Sequence, residues 1–232
     1  MRIILPTIAT LLILSCTNNK NTNMGILDKI FGKDSNKSKI ETKFVQVALE
    51  LDKTAELLNE DLYWEIIDQS LRNTNHQDAQ EQFLIEEIAK LTPKEMVGFR
   101  LRTDMFLYET YNSEMWCAGY IMNGGCSDDG FEYFRNWVIS RGKETYYKAK
   151  ENPDYLIKEV VANDDFYEFE SFWYVALEAF QQKTGKNLYD YIDYDNFKMG
   201  EGNYQNFEFT WDEENPESMK KICPKLFEKM WN

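Results

Sequence analysis

A mainly α-helical fold, a single compact multi-helix domain, is what this sequence predicts, with room for a small hairpin or extended segment in the C-terminal third. Three observations carry that prediction. Apolar residues recur at three- and four-residue spacing through most of the chain, the period of one helix face. Capping residues punctuate those stretches. Beyond the first forty of the 232 residues no Pro-, Ser- or Gly-rich stretch and no charge run is long enough to act as a linker, so residues 43–232 read as one domain. An apolar fraction of 43%, with 15 Phe, 14 Tyr and 6 Trp, supplies the bulk for a sizeable core.

The elements follow in order. Phe44, Val47, Leu51, Ala55 and Leu58 are spaced as one face of a helix, and a second helix carries Trp64, Ile67 and Leu71. The polar residues 73–77 separate it from a third with Phe83, Leu84, Ile88 and Leu91 on one side. Thr92-Pro93-Lys94-Glu95 then combines an N-cap, a proline at the first helical position and a reciprocal Glu, the signature of a capping box. The helix it opens should bury Met96, Phe99, Thr103, Phe106 and Leu107 and run to about Tyr111. Trp116 to Met122 fits a short buried helix that Asn123, Gly124 and Gly125 end, because glycine adopts the left-handed backbone of a helix terminus at little cost. Phe131, Phe134, Trp137 and Val138 form the next stripe, with Gly142 as a stop or bend. Asn152-Pro153-Asp154 is a turn, and a later helix with Phe169, Phe172, Trp173, Ala176, Leu177 and Phe180 closes at Gly185. From Asn187 to Glu217 aromatics alternate with acids, Asn and Gly, which suggests extended or hairpin-like chain. Asn215-Pro216-Glu217 caps a last short helix with Met219 and Ile222 that Pro224 ends or kinks.

The N-terminus offers two starts. Residues 1–16, MRIILPTIATLLILSC, join one Arg to an apolar run too short to span a bilayer but suited to a signal peptide. Ile13-Leu14-Ser15-Cys16 resembles a bacterial lipobox, which would make Cys16 the lipid-bearing first residue, with 17–42 as a flexible tether. That places the protein lipid-anchored in the cell envelope, touching the membrane only through its anchor. The alternative is a cytoplasmic protein that starts at Met24.

Charge and cysteines narrow the function classes. With 40 acidic against 26 basic side chains the net charge is −14, which repels phosphate backbones and argues against nucleic acid. The bland reading of that charge is solubility, and the sharper one is a surface that attracts a basic partner. Setting Cys16 aside leaves Cys117, Cys126 and Cys223, an odd number that cannot pair completely. In an exported chain Cys117 and Cys126 are near enough in sequence for a small-loop disulfide; otherwise they are small buried side chains, the reading favoured here. With no CxxC and His76 the only histidine, no metal and no cofactor is expected.

Residues 116–142 read WCAGYIMNGGCSDDGFEYFRNWVISRG. This run resembles the bacterial family known as domain of unknown function 4240 (DUF4240), through Trp116, Gly124, Gly125, Ser127, Asp128, Asp129, Gly130, Phe131, Tyr133, Phe134, Arg135, Trp137, Ile139 and Gly142. The resemblance extends to Trp64-Glu65-Ile66-Ile67-Asp68, to Asn152-Pro153-Asp154 and to Pro224-Lys225-Leu226, and so covers roughly Leu62 to the end. It implies a shared fold and no known activity. The lipobox-like start is a departure from it.

Two accounts of the central motif stand side by side. In the structural one Ser127 caps a helix beginning near Asp128, the two carboxylates meet the positive end of its dipole, and Phe131, Phe134 and Trp137 pack inward. In the functional one Gly124, Gly125, Cys126, Ser127, Asp128, Asp129, Arg135 and Trp137 form a binding loop. Asp128, Asp129 and Arg135 would then be catalytic candidates and Cys126 or Ser127 a nucleophile without an obvious histidine base. The aromatic tail is also twofold. Tyr189, Tyr191, Tyr194, Phe197, Tyr204, Phe207, Phe209 and Trp211 line a partner surface or cover a core beneath irregular chain. On balance the sequence favours a non-enzymatic binding or protein-interaction domain with an acidic surface, membrane-tethered, for an unidentified and basic protein partner. The alternative is a carboxylate-dependent, metal-assisted hydrolase built on Ser-Asp-Asp.

Overall fold

The computed structural model describes residues 51–161, 166–200 and 202–231, all within a unit spanning Ala48–Asn232. The expectations for residues 1–16 and 17–42, for Cys16 and Met24, and for Phe44 and Val47, lie outside the described residues. Among the described residues the regular structure is helical, with no strand longer than an isolated bridge. No described helix is long and apolar enough to cross a membrane.

The first five helices each begin where a side chain takes up an orphan backbone N–H. Asn59 caps α1 (Glu60–Asn73), which buries Tyr63, Trp64, Ile66 and Ile67. His76 accepts from Ala79 N–H and so caps α2 (Gln77–Ile88), which makes the lone histidine an exposed helix start. The capping box at Thr92 opens α3 (Pro93–Glu109), with the Glu95 carboxylate returning to the Thr92 backbone N–H at 2.8 Å. Asn112 caps α4 (Ser113–Asn123), and Gly124 closes it at φ 66°. Ser127 caps α5 (Asp128–Ser140), and Gly142 at φ 92° leads into α6 (Lys143–Glu151). A 3₁₀ turn follows at Pro153–Glu159 and another at Glu170–Tyr174, before α7 (Val175–Thr184) ends at Gly185 in the left-handed region. After a short 3₁₀ turn at Leu188–Tyr191, α8 (Pro216–Ile222) and α9 (Pro224–Met230) complete the chain, so Pro224 does more than stop a helix: it opens the next one.

The core is aromatic. Trp64 stacks on Phe106 with ring centroids 4.7 Å apart, Tyr63 lies 4.5 Å from Phe99, and Tyr146 lies 4.7 Å from Phe106. The two phenols find partners inside: the Tyr63 hydroxyl pairs with Thr103 Oγ1 at 3.0 Å, and Tyr146 donates to the Phe106 carbonyl at 3.0 Å. Burial pushes the Tyr63 and Tyr146 phenols well above their ordinary value, so both stay neutral.

One expectation is corrected. Residues 51–59 are extended where the spacing of Leu51, Ala55 and Leu58 predicted a helix. Their backbone groups are taken by neighbours: Thr54 N–H donates to Tyr191 O at 3.0 Å, Asp193 N–H to Thr54 O at 3.0 Å, and Leu58 N–H to Gly98 O at 3.0 Å. Gly98 makes this approach possible, because a Cβ there would stand 2.7 Å from the Leu58 nitrogen. Of the two forms expected of the tail beyond Tyr191, the described residues take the irregular, extended one, with two isolated bridges, Thr54 with Ile192 and Asp212 with Asn215.

The C-terminal helices pack on α4. Asp154 lies in the Pro153–Glu159 turn, and its Oδ1 accepts from the backbone N–H of both Lys225 and Leu226 at 2.9 Å, capping α9 from 71 residues away. Cys117, Cys126 and Cys223 are free. Cys117 and Cys223 are fully buried and in side-chain contact with one another.

Candidate functional site

The loop between α4 and α5 is set by backbone needs. Gly124 and Gly125, at φ 66° and 143°, place their N–H groups on the Tyr120 carbonyl, and open space surrounds both Cα atoms. Only conformation, and no crowding, calls for glycine there. Ser127 Oγ accepts from Gly130 N–H at 3.1 Å, and its carbonyl accepts from Phe131 N–H at 2.8 Å. Asp128 and Asp129 are exposed in the first turn of α5, at the positive end of its dipole.

The catalytic candidates do not converge. Arg135 is 1% exposed, donating to Leu107 O at 2.6 Å and Phe131 O at 3.3 Å. Its guanidinium lies 4.6 Å from the Phe131 ring centroid, 4.9 Å from Tyr204 and 5.0 Å from Tyr111. The seven-residue spacing of Asp128 and Arg135 puts both on one helix face, but Tyr111 and Tyr204 close over the deeper part of it. Trp137 is likewise internal, 6% exposed and edge-on to Tyr167. Of the eight predicted binding residues, Gly124 to Asp129 therefore lie at the surface or half-buried, while Arg135 and Trp137 are internal.

The nucleophile candidates have other occupations. Burial, and then the negative charge of Glu168, pushes the Cys126 thiol up to about 12, so it is protonated at neutral pH. The Ser127 hydroxyl is the α5 cap, and His76 caps α2. Glu168 sits over the start of α5, where a Cβ on Gly130 would meet its Oε1 at 3.3 Å, and burial holds its carboxyl above the ordinary range. No three His, Cys, Asp or Glu side chains among the described residues group to hold a metal ion.

Beside this loop lies a cleft of about 600 Å³ lined by Trp116, Tyr120, Cys126, Asp128, Phe209, Trp211, Asp212 and Glu213. Its rings are held in place. The Trp116 indole donates to Cys126 O at 3.1 Å and its ring stacks 4.2 Å from Phe131. The Trp211 indole donates to Ser113 O at 2.9 Å, and Phe209 stands edge-on between Trp116 and Trp211 at 5.3 and 5.4 Å. The Tyr120 hydroxyl donates to Glu213 Oε2 at 2.6 Å, which raises the phenol above its ordinary value and fixes that carboxylate at the rim. Phe209 is 53% exposed. None of the ion pairs among the described residues involves Asp128, Asp212 or Glu213. The arrangement offers aromatic rings beside carboxylates that no ion pair among the described residues engages, a setting suited to a cation.

A family model described as protein of unknown function (DUF4240) matches residues 58–182. The chain belongs to that family. The DUF4240 match takes in the Trp64 and Trp116–Gly142 motifs and stops short of Pro224-Lys225-Leu226. No curated protein and no solved structure matches the chain.

The DUF4240 span supplies one wall of the cleft, Trp116 to Asp128, and the tail supplies the other, Phe209 to Glu213. The loop Gly124–Asp129 was visible as a unit in the sequence, and so was the aromatic tail. Their meeting was not. Tyr120, Asp212 and Glu213 escaped notice, although the four-residue spacing of Trp116 and Tyr120 marks a common face of α4.

Proposed function

We propose that this chain is a non-enzymatic interaction domain that engages a basic protein partner through the cleft between the α4–α5 loop and the tail. The observation that carries the reading is the cleft itself: four fixed aromatic rings beside three carboxylates that no basic side chain of the described chain neutralises. The net charge of −14 supports it by drawing basic partners towards the surface. Neutral Cys126, a Ser127 engaged as a cap and the separation of Arg135 from Asp128 and Asp129 favour binding over covalent chemistry. Lipid attachment at Cys16, with 17–42 as tether, would hold the domain at the cell envelope, where its partner would be met.

The test compares two charge-neutralised forms of the full chain against a polyarginine or polylysine probe. One carries Asp128→Asn, Asp212→Asn and Glu213→Gln; the other carries Glu65→Gln, Asp78→Asn and Glu86→Gln, exposed acids away from the cleft. The cleft variant is expected to lose about tenfold in affinity and the control little, because neighbouring charges act within a Debye length of about 8–10 Å. Equal losses would defeat the reading. Metabolic labelling with a fatty-acid alkyne that Cys16→Ser fails to abolish would defeat the lipid anchor.

A further inference from the structure

We infer that the occupant of the cleft is an arginine side chain of the basic partner, its guanidinium laid on a ring face and its edge N–H groups directed at the rim carboxylates. This inference rests on the reading of the cleft as a partner site and adds the group that is recognised.

The walls specify that group. Phe209 meets Trp211 at an interplanar angle of 86° and Trp116 at 76°, so ring faces and ring edges alternate around the cleft. A planar cation fits against one such face while keeping its edge free, which a tetrahedral ammonium cannot do. The carboxylates matter as much as the rings. Asp128, Asp212 and Glu213 present acceptor oxygens with no cationic partner among the described residues. A quaternary ammonium has no N–H to give them, and a lysine offers donors from a single point, whereas guanidinium offers five in a flat fork. The chain also houses its own guanidinium groups this way. Arg100 lies 3.4 Å from the Trp173 ring centroid while pairing with Asp104 at 2.6 Å, and Arg135 lies among three rings. At about 600 Å³ the cleft is larger than one side chain, which leaves space for the residues flanking that arginine.

The experiment titrates the full chain with three capped heptapeptides, alternating glycine with arginine, with lysine or with citrulline, the neutral isostere of arginine. Tryptophan fluorescence, to which Trp116 and Trp211 at the cleft contribute among six tryptophans, and calorimetry report binding. The arginine peptide is expected to bind about tenfold tighter than the lysine peptide and to quench the fluorescence, and the citrulline peptide to bind negligibly. Trp211→Ala and, independently, Phe209→Ala should each remove most of the arginine preference; Phe209 is half exposed, so its removal leaves the fold intact as checked by circular dichroism. If arginine and lysine peptides bind alike and neither ring variant matters, the inference falls while the acidic interaction surface stands. If no peptide binds even at low salt, the interaction reading falls with it.

Discussion

The helical body and the tail use aromatic residues in opposite ways. Between Glu60 and Glu151 rings recur at helical spacing, and Tyr63, Trp64, Phe99, Phe106 and Tyr146 are all 1% exposed or less. Between Tyr194 and Trp211 rings are about twice as frequent, yet only Phe197 is buried, Tyr194 and Phe209 are each 53% exposed, and the backbone around them has no ladder. The difference is in what holds the backbone. Helices satisfy their own N–H groups and can turn a whole face inward. The tail borrows its partners from elsewhere: Thr210 N–H donates to Ser113 Oγ at 2.9 Å, Gln205 to the Tyr108 hydroxyl at 2.9 Å, and Trp211 to Ser113 O. Rings positioned one bond at a time lie along the surface of the body, and what they leave open is the cleft.

The sharpest way to break this contrast is to remove one ring from each region. Trp64→Ala should cost about 4 kcal/mol in denaturant unfolding, the usual range for deleting a large buried aromatic, while Phe209→Ala should change stability by less than about 0.5 kcal/mol. Comparable costs would make the tail rings part of the core. Next in size, Asp154→Ala should destabilise by roughly 3 kcal/mol, because it strips a charged acceptor from the Lys225 and Leu226 N–H groups. Loss of the α9 signal ahead of the rest in hydrogen exchange would show that this carboxylate ties α9 to the body.

A smaller effect, about 1 kcal/mol, is expected of Thr92→Ala at neutral pH. It should depend on acidity. Hydrogen bonds from the Thr92 side chain and backbone hold the Glu95 carboxyl below its ordinary value. A depressed carboxyl contributes stability above the unfolded value of about 4.3 and loses it as pH falls through the lower folded value. Unfolding curves of the parent and the variant should therefore draw together in acid, and a constant gap would mean the box acts through Thr92 alone. The smallest effect is assigned to Ser113→Ala, which removes the acceptor of the Thr210 N–H. Faster amide exchange at Thr210 with an unchanged global midpoint is expected; a shifted midpoint would show the tail to be integral to the body.

Local signals carried most of the fold and part of the site. The capping box at Thr92, the glycine stop at Gly124 and the serine cap at Ser127 are short-range chemistry, and each is found where the sequence placed it. What failed was non-local. The stripe through Leu51, Ala55 and Leu58 obeys helical spacing, but its backbone partners, Gly98 and Tyr191, lie 40 or more positions away in the chain. Arg135 reads as a polar residue on a helix near two acids, and only Tyr111 and Tyr204 closing over it make it internal. Asp212 and Glu213 had no local mark at all, because their place beside Tyr120 depends on bonds that cross more than ninety residues. Asn152-Pro153-Asp154 and Pro224-Lys225-Leu226 were noted as separate motifs, and in the structure one caps the other.

The division of the cleft between two stretches of chain has a consequence for inheritance. Trp116 to Asp128 belong to helices whose other sides are committed to the core, so change there is checked by folding. Phe209 to Glu213 lie beyond the matched span, on chain outside the helices, where Trp211 alone packs against the core. Replacements in those few positions can redirect what the cleft holds without disturbing a helix, much as loops diversify on a rigid scaffold. The preferences of the cleft can thus be altered from one wall while the other keeps its helical packing.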